Sequence, residues 1–381
     1  MRTKNASLVS ICFGFAATAI FLLFFIRSDV AIDYMKIGLK LCSGSIIPTL
    51  FPFTVASTLL ISSGAGPMLC RPIATILRPI LGISNGGCCA FILGNLCGFP
   101  LGAKSLCDLY DRGMITKSEF ERVLTFSSNP GSAFVINALG SGLFGSVRIG
   151  ILLYACVFMS SLIIAVALRI FGKAITMPSP AAVLKANIDT KKDSISLFTS
   201  GIRDAALSML TVCAMIAFFS SLSGCIGATL ERLGADQLTT SIISAFFEMS
   251  GGVSALSASK SSLSVVLCAA ALGWSGLSVH FQIMSLCSGR KINFAPYFIS
   301  KILQGFISAS IAAVFIKIFP VSEDVCLNAS NSFSDKVFDG NIVLIWGIFS
   351  LATTILATVS MMKNRGKNFF TKKAKKFAKR G

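Results

Sequence analysis

The chain of 381 residues is 54% hydrophobic and only 13% charged, with a mean hydropathy of +0.79. Soluble domains carry about 25% charged residues, so this composition excludes an ordinary globular or disordered protein and predicts a polytopic membrane protein. The formal net charge of +18 is concentrated: the tail after Met362 carries Lys363, Arg365, Lys367, Lys372, Lys373, Lys375, Lys376, Lys379 and Arg380 and no acid, a pattern of the cytoplasmic membrane face and anionic lipid rather than of nucleic-acid binding.

Leu8 to Ile26, preceded by Arg2 and Lys4, reads as the first span. A signal peptide is the alternative, but the apolar run is long and no small-residue cleavage site follows it. From Asp29 to Leu41, Val30, Tyr34, Ile37 and Leu41 recur at helical spacing against Asp33, Lys36 and Lys40, which predicts a helix lying in the interface. A second span is expected from Gly44 to Ser62, and a surface segment from Gly66 to Leu81, which holds Arg71, Pro72, Arg78 and Pro79. Gly86 to Tyr110 is apolar but broken at Gly98-Phe99-Pro100, predicting a re-entrant hairpin. The next helix starts after Thr116, with Glu119 placed for a capping box. It continues past a break at Asn129-Pro130-Gly131 to about Leu143, and Ile149 to Phe171 is another span.

The polar stretch from Gly172 to Ser196 divides the halves, and beyond it the order returns. A span is expected from Ala205 to Leu222, a re-entrant hairpin from Leu238 to Leu256, a broken helix from Leu263 to Cys287 and a span from Ala295 to Phe319. The resulting organisation is an N-terminal span and interfacial helix (1–43), a first repeat (44–171), a cytoplasmic linker (172–196) and a second repeat (197–319). An external loop (320–341), a last span (342–362) and the basic tail (363–381) follow. Each repeat has three crossings and one hairpin that does not cross, so the second copy is expected to be inverted. With a cytoplasmic N-terminus, eight spans place Arg71, Arg78, Arg112, Lys117, Arg122, the linker lysines, Arg290, Lys291 and the tail inside. Glu323, Asp324, Asp335 and Asp339 fall outside, as the positive-inside bias asks.

Most of the thirteen cysteines lie in apolar runs and read as small packing residues, and the adjacent Cys88 and Cys89 lack a second cluster at zinc spacing. Backbone unwound at membrane depth must line a cavity or be enclosed by protein, and paired breaks point to a solute site. The breaks nominate Asn95, Phe99 and Lys104 from the first hairpin, and Ser128, Asn129, Ser132 and Asn137 from the first broken helix. Glu248 and Ser250 come from the second hairpin, and Ser275, Ser278, His280 and Gln282 from the second broken helix. Lys104 near a half-helix start would attract an anion, or else it snorkels to the headgroups. Glu248 is a carboxylate at membrane depth, which usually faces a cavity, a partner or an ion path; an outer-surface position is its alternative. His280 is the sole histidine, and it serves either a solute or the helix packing. No metal site, catalytic group or cofactor is expected, and the chain does not read as an enzyme. A proton or Na+ are the candidate coupling ions.

At these residues the chain resembles the nucleoside-recognition (Gate) domain family, specifically the YlbJ-type sporulation integral membrane proteins. The resemblance covers about residues 40 to 320. It rests on Pro48-Thr49-Leu50-Phe51-Pro52-Phe53, Gly98 through Lys104, Phe126 through Gly131, Phe247 through Gly252 and Gly276 through Gln282. It implies an all-α polytopic membrane protein of endospore-forming bacteria, with about eight transmembrane helices and two re-entrant hairpins in two inverted repeats, similar in architecture to concentrative nucleoside transporters. Within the YlbJ-type branch it implies passage of a small, anionic spore metabolite, with dipicolinate the expected cargo. The implied location is the bacterial cell membrane, in the mother-cell or outer forespore membrane during sporulation. The family label does not establish a nucleoside ligand. Pro130 beside Asn129 departs from a regular broken helix. Expected partners are the solute, membrane lipid, and further copies of the chain or sporulation membrane proteins, without nucleic acid. A non-transporting scaffold or sensor, and a nucleoside transporter, are the competing readings.

Overall fold

The computed structural model describes residues 2–178 and 194–318. The external loop, last span and basic tail expected beyond 319, and most of the linker, lie outside the described residues. Every described regular element is helical. Helix α1 (Arg2–Ile26) meets α2 (Ser28–Leu41) at a bend of 97°. From Ser28 the backbone stays helical to Ser62, through a π turn at Cys42–Ile46 and then α3 (Ile47–Ser62).

Helix α2 packs along the 39-residue α10 (Ser194–Arg232), because Gly38 allows Ser220 to approach and Gly224 admits the Tyr34 ring. The Ser221 hydroxyl fixes the contact by donating to the Ala31 carbonyl at 3.0 Å. The segment expected to lie free in the interface is therefore docked on one side, and exposes Ile32, Met35, Ile37 and Leu39 on the other.

The remaining elements form the body. After α4 (Gly66–Leu69) and α5 (Arg71–Leu81), the first hairpin is α6 (Asn85–Cys97) with α7 (Leu101–Asp111). Its arms close tightly because Gly94 and Gly102 face each other beside the Ser127 carbonyl. Then come α8 (Lys117–Ser127), a π-wound helix (Ala133–Leu143) and α9 (Val147–Phe171). The second half supplies α10, a hairpin of α11 (Gln237–Phe247) and α12 (Met249–Ser257), the pair α13 (Ser262–Trp274) and α14 (Gly276–Leu286), and α15 (Ala295–Ile318).

Among the described residues, four helical stretches are long and apolar enough to cross a membrane: Val147–Phe171, Ile195–Arg232, Ser262–Leu286 and Ala295–Ile318. Counting each bent pair as one span, α1 with α2 and α5 with α6, raises this to six. The eight expected spans are met only in part, for physical reasons. Helix α3 has 16 residues, and the helix expected from Thr116 to Leu143 is two 11-residue pieces, the first of low apolarity. The eighth lies beyond the described residues.

Thr116 caps α8 as expected, its hydroxyl accepting from the Glu119 amide at 3.2 Å. The capping box closes only halfway, because the Glu119 carboxylate turns to the Ser84 amide at 2.5 Å and so ties α8 to the start of α6. The two halves also meet at one end. Arg290 donates to both carboxylate oxygens of Asp111, at 2.8 and 2.5 Å, and the Asn293 amide donates to Glu121 at 2.9 Å. The Asp111 carboxylate raises the pKa of Arg290 above its ordinary value. Beside this pair the buried thiols of Cys107 and Cys287 lie 3.7 Å apart.

Candidate functional site

Each hairpin tip abuts the break in the helix that follows it. In the first half, α6 ends at Gly98 (φ +85°), the Phe99–Pro100 bond is cis, and Gly98 lies against Gly131 in the break of the helix that follows. A Cβ on Gly131 would stand 2.8 Å from the Cys97 carbonyl oxygen, so only glycine lets these two turns meet. The Ser132 hydroxyl donates to the Leu96 carbonyl at 3.1 Å across the same contact. In the second half Gly276 (φ +77°) plays this part, and a Cβ there would stand 2.8 Å from the Met249 amide nitrogen.

The two tips differ in chemistry. Glu248 is buried and caps α12: one carboxylate oxygen accepts from the Ser250 amide at 2.9 Å and the other from the Gly251 amide at 2.6 Å. A carboxylate at a helix N-terminus is favoured by the free amides and the helix dipole. Lys104 lies in the first turns of α7 and pairs with Asp108 at 3.5 Å, which balances its charge. No hydrogen bond or ion pair joins Lys104 to Glu248 among the described residues.

The first-half break holds instead a cation that the sequence analysis did not nominate. Lys301, on α15, has no exposed surface. Its Nζ donates to the Ser128 carbonyl, to Asn129 Oδ1 (3.2 Å) and to Gln304 Oε1 (2.9 Å). The Phe99 ring centroid lies 5.6 Å away. Around this head the amides form a continuous chain. Gln304 Nε2 donates to Asn129 Oδ1 (2.7 Å), and Asn129 Nδ2 donates to Asn95 Oδ1 (2.9 Å) and the Phe126 carbonyl (2.9 Å). Asn95 Nδ2 donates to the Phe91 carbonyl (2.8 Å), and the Tyr154 hydroxyl to the Asn95 carbonyl (3.0 Å). Every partner of the ammonium is neutral, and no carboxylate pairs with it among the described residues.

Four nominated residues, Asn95, Phe99, Ser128 and Asn129, thus converge on Lys301. His280 is near the same helix: its Nδ1 shares a hydrogen bond of 2.8 Å with the Tyr297 hydroxyl, four residues before Lys301, while its Nε2 has no hydrogen-bond partner among the described residues and the Trp274 ring lies 4.4 Å from the imidazole. Ser275 (φ +81°) forms the second break, and Gln282 donates to Ser278 at 3.1 Å within α14. Asn137 is exposed, whereas Gln282 is buried. An open cleft of about 680 Å³ lies elsewhere, at the start of α6, lined by Arg71, Arg78 and Ser84.

A signal for Lys301 was present in the sequence. Tyr297, Lys301, Gln304 and Ser308 recur at spacings of four, three and four, a polar stripe along one face of an apolar helix. All four are fully buried, and Ser308 shares a 2.8 Å hydrogen bond with Ser160 of α9.

Comparison with known proteins supports the family seen in the motifs. The chain is 26% identical over 319 residues to the sporulation integral membrane protein YlbJ of Bacillus subtilis (strain 168), covering 76% of this chain and 77% of that protein. No protein-family model matches the chain, and no solved structure matches it. With its run of long apolar helices, the chain is a multi-pass integral membrane protein and a relative of the YlbJ-type sporulation proteins.

Proposed function

We propose that this protein serves sporulation as a transporter or facilitator that passes a small anionic solute across the membrane, with dipicolinate the expected cargo. The carrying observation is the Lys301 ammonium, buried at a helix break and, among the described residues, held only by neutral oxygens. A buried charge in a membrane protein usually marks a solute or ion path. A positive charge without a neighbouring acid leaves the site one unit short of neutrality, which an anion would supply.

The order of hairpin, broken helix and span in each half supports two structural repeats, and the tip-to-break contacts at Gly98 with Gly131 and at Met249 with Gly276 support it further. In this proposal the repeats are inverted, both termini are cytoplasmic and the described state is closed around Lys301. Transport rather than catalysis is favoured, because the cluster offers amides and an ammonium fully engaged in hydrogen bonds rather than an activated nucleophile.

Reconstitution into liposomes tests the proposal: saturable uptake of dipicolinate, in preference to nucleosides and under imposed ion gradients, is expected. Absence of saturable uptake for both solute classes would turn the assignment toward a scaffold or sensor.

A further inference from the structure

We infer that Lys301 is a tethered cation occupying the place that a free Na+ would take at the first helix break. The inference concerns the coupling ion of the proposed site. Its extension to flux rests on the transport proposal, whereas the occupancy of the cradle does not.

Unwound carbonyls and amide oxygens at interrupted membrane helices are the groups that coordinate Na+ in transporters, and hard cations take oxygen ligands. Here the Ser128 carbonyl freed by the break, Asn129 Oδ1 and Gln304 Oε1 converge on one point, and Lys301 Nζ stands there. The amide orientations follow from the surrounding network. Asn129 Nδ2 donates to Asn95 Oδ1 and the Phe126 carbonyl, and Gln304 Nε2 to Asn129 Oδ1 and the Val157 carbonyl, which turns both side-chain oxygens toward Nζ. An ammonium has three N–H groups and no acceptor, and it finds three acceptors; a neutral amine would have only two donors to offer them. The cradle therefore fits a cation. Because that cation is covalently attached, no position remains for a dissolved one.

Thermal unfolding of the purified full chain in detergent, with NaCl exchanged for choline chloride at constant ionic strength, tests the cradle without reference to transport. The wild-type Tm is expected to be the same in both salts. Lys301→Ala removes the ammonium and leaves the oxygens facing a vacancy; its Tm should fall by several degrees in choline chloride and recover in a saturable manner with Na+ or methylammonium. Lys301→Ser, which retains a small polar group, replaces it if the alanine variant does not fold. Saturable stabilisation of the wild type by Na+ would overturn the inference, as would folded variants that neither small cation stabilises. In proteoliposomes, uptake by the wild type should be unchanged when the Na+ gradient is removed. If no solute is taken up at all, the transport proposal fails while the thermal measurements still decide the cradle. If uptake occurs but requires Na+, the tethered-cation inference fails and the transport proposal stands.

Discussion

Asn129→Asp neutralises the proposed site while keeping Lys301 and nearly the same side-chain shape. The substitution places a carboxylate where Asn129 Oδ1 now lies, 3.2 Å from the ammonium. At an effective dielectric of about 20, unit charges at that distance attract by about 5 kcal/mol. Opposing this are the desolvation of a buried carboxylate, several kcal/mol, and the loss of the donor to Asn95 Oδ1 and the Phe126 carbonyl, whose orphaned oxygens cost about 1–3 kcal/mol each. The costs outweigh the attraction, so the variant should show a lower Tm. Its effect on an anionic solute is read separately, on the folded protein. A solute carboxylate as far from Nζ as the Phe99 ring centroid, 5.6 Å, gains about 3 kcal/mol at the same dielectric. Cancelling that attraction corresponds to about a 10²-fold loss of affinity. In proteoliposomes the KM for dipicolinate should rise by about that factor, while uptake of its neutral diamide, where measurable, changes little. A monodisperse Asn129→Asp protein that takes up dipicolinate with the wild-type KM would refute the idea that the solute feels Lys301.

Three further outcomes probe the packing. Tyr297→Phe leaves His280 Nδ1 without its 2.8 Å partner when Nε2 already has none; a stability loss of about 1–3 kcal/mol is expected, read as a lower Tm in detergent, and an unchanged Tm would show that the hydrogen bond carries no weight. Gly276→Ala forces a side chain onto a φ of +77° and toward the Met249 amide, so it should destabilise by more than about 1 kcal/mol. Gly227→Ala, in the interior of α10 with open space around it, should hold or raise Tm by up to about 1 kcal/mol in stability; equal effects at both glycines would contradict the tip-to-break contact. With the other cysteines replaced, a thiol oxidant should join Cys107 to Cys287, whose sulfurs lie 3.7 Å apart. A chain cut within the 172–196 linker should then run as one band on a non-reducing gel, and two bands would place the halves farther apart.

The breaks were legible in the sequence because glycine and proline interrupt a helix in ways that apolar neighbours cannot repair. Gly98-Phe99-Pro100, Asn129-Pro130-Gly131 and Gly276 each mark a real interruption, and Thr116 caps the helix that follows it; that Glu248 caps its helix is seen only in the fold. The partners of the interrupted backbone were not legible. Lys301 is 173 residues away from Ser128, and a lysine one and a half turns into an apolar helix looks the same whether it reaches outward to headgroups or inward to a carbonyl. Its stripe with Tyr297, Gln304 and Ser308 was the available clue. Local sequence places Lys104 near a helix start, but Asp108, one turn later on the same helix, competes for its charge. The docking of α2 on α10 depends on Gly38 in the one helix and Gly224 in the other, positions far apart in sequence that local periodicity does not couple.

The distance along the chain between Ser128 and Lys301 also sets an order of events during biogenesis. The carbonyl freed at the first break receives its buried donor only from α15, 173 residues later, and bacterial and eukaryotic ribosomes add about 5–20 residues each second. For roughly ten to thirty-five seconds the nascent first half sits in or beside the insertion machinery with that carbonyl lacking its eventual partner. Water, lipid headgroups or an insertase must satisfy it meanwhile, and a chain truncated before α15 would remain in that condition and be exposed to membrane proteolysis.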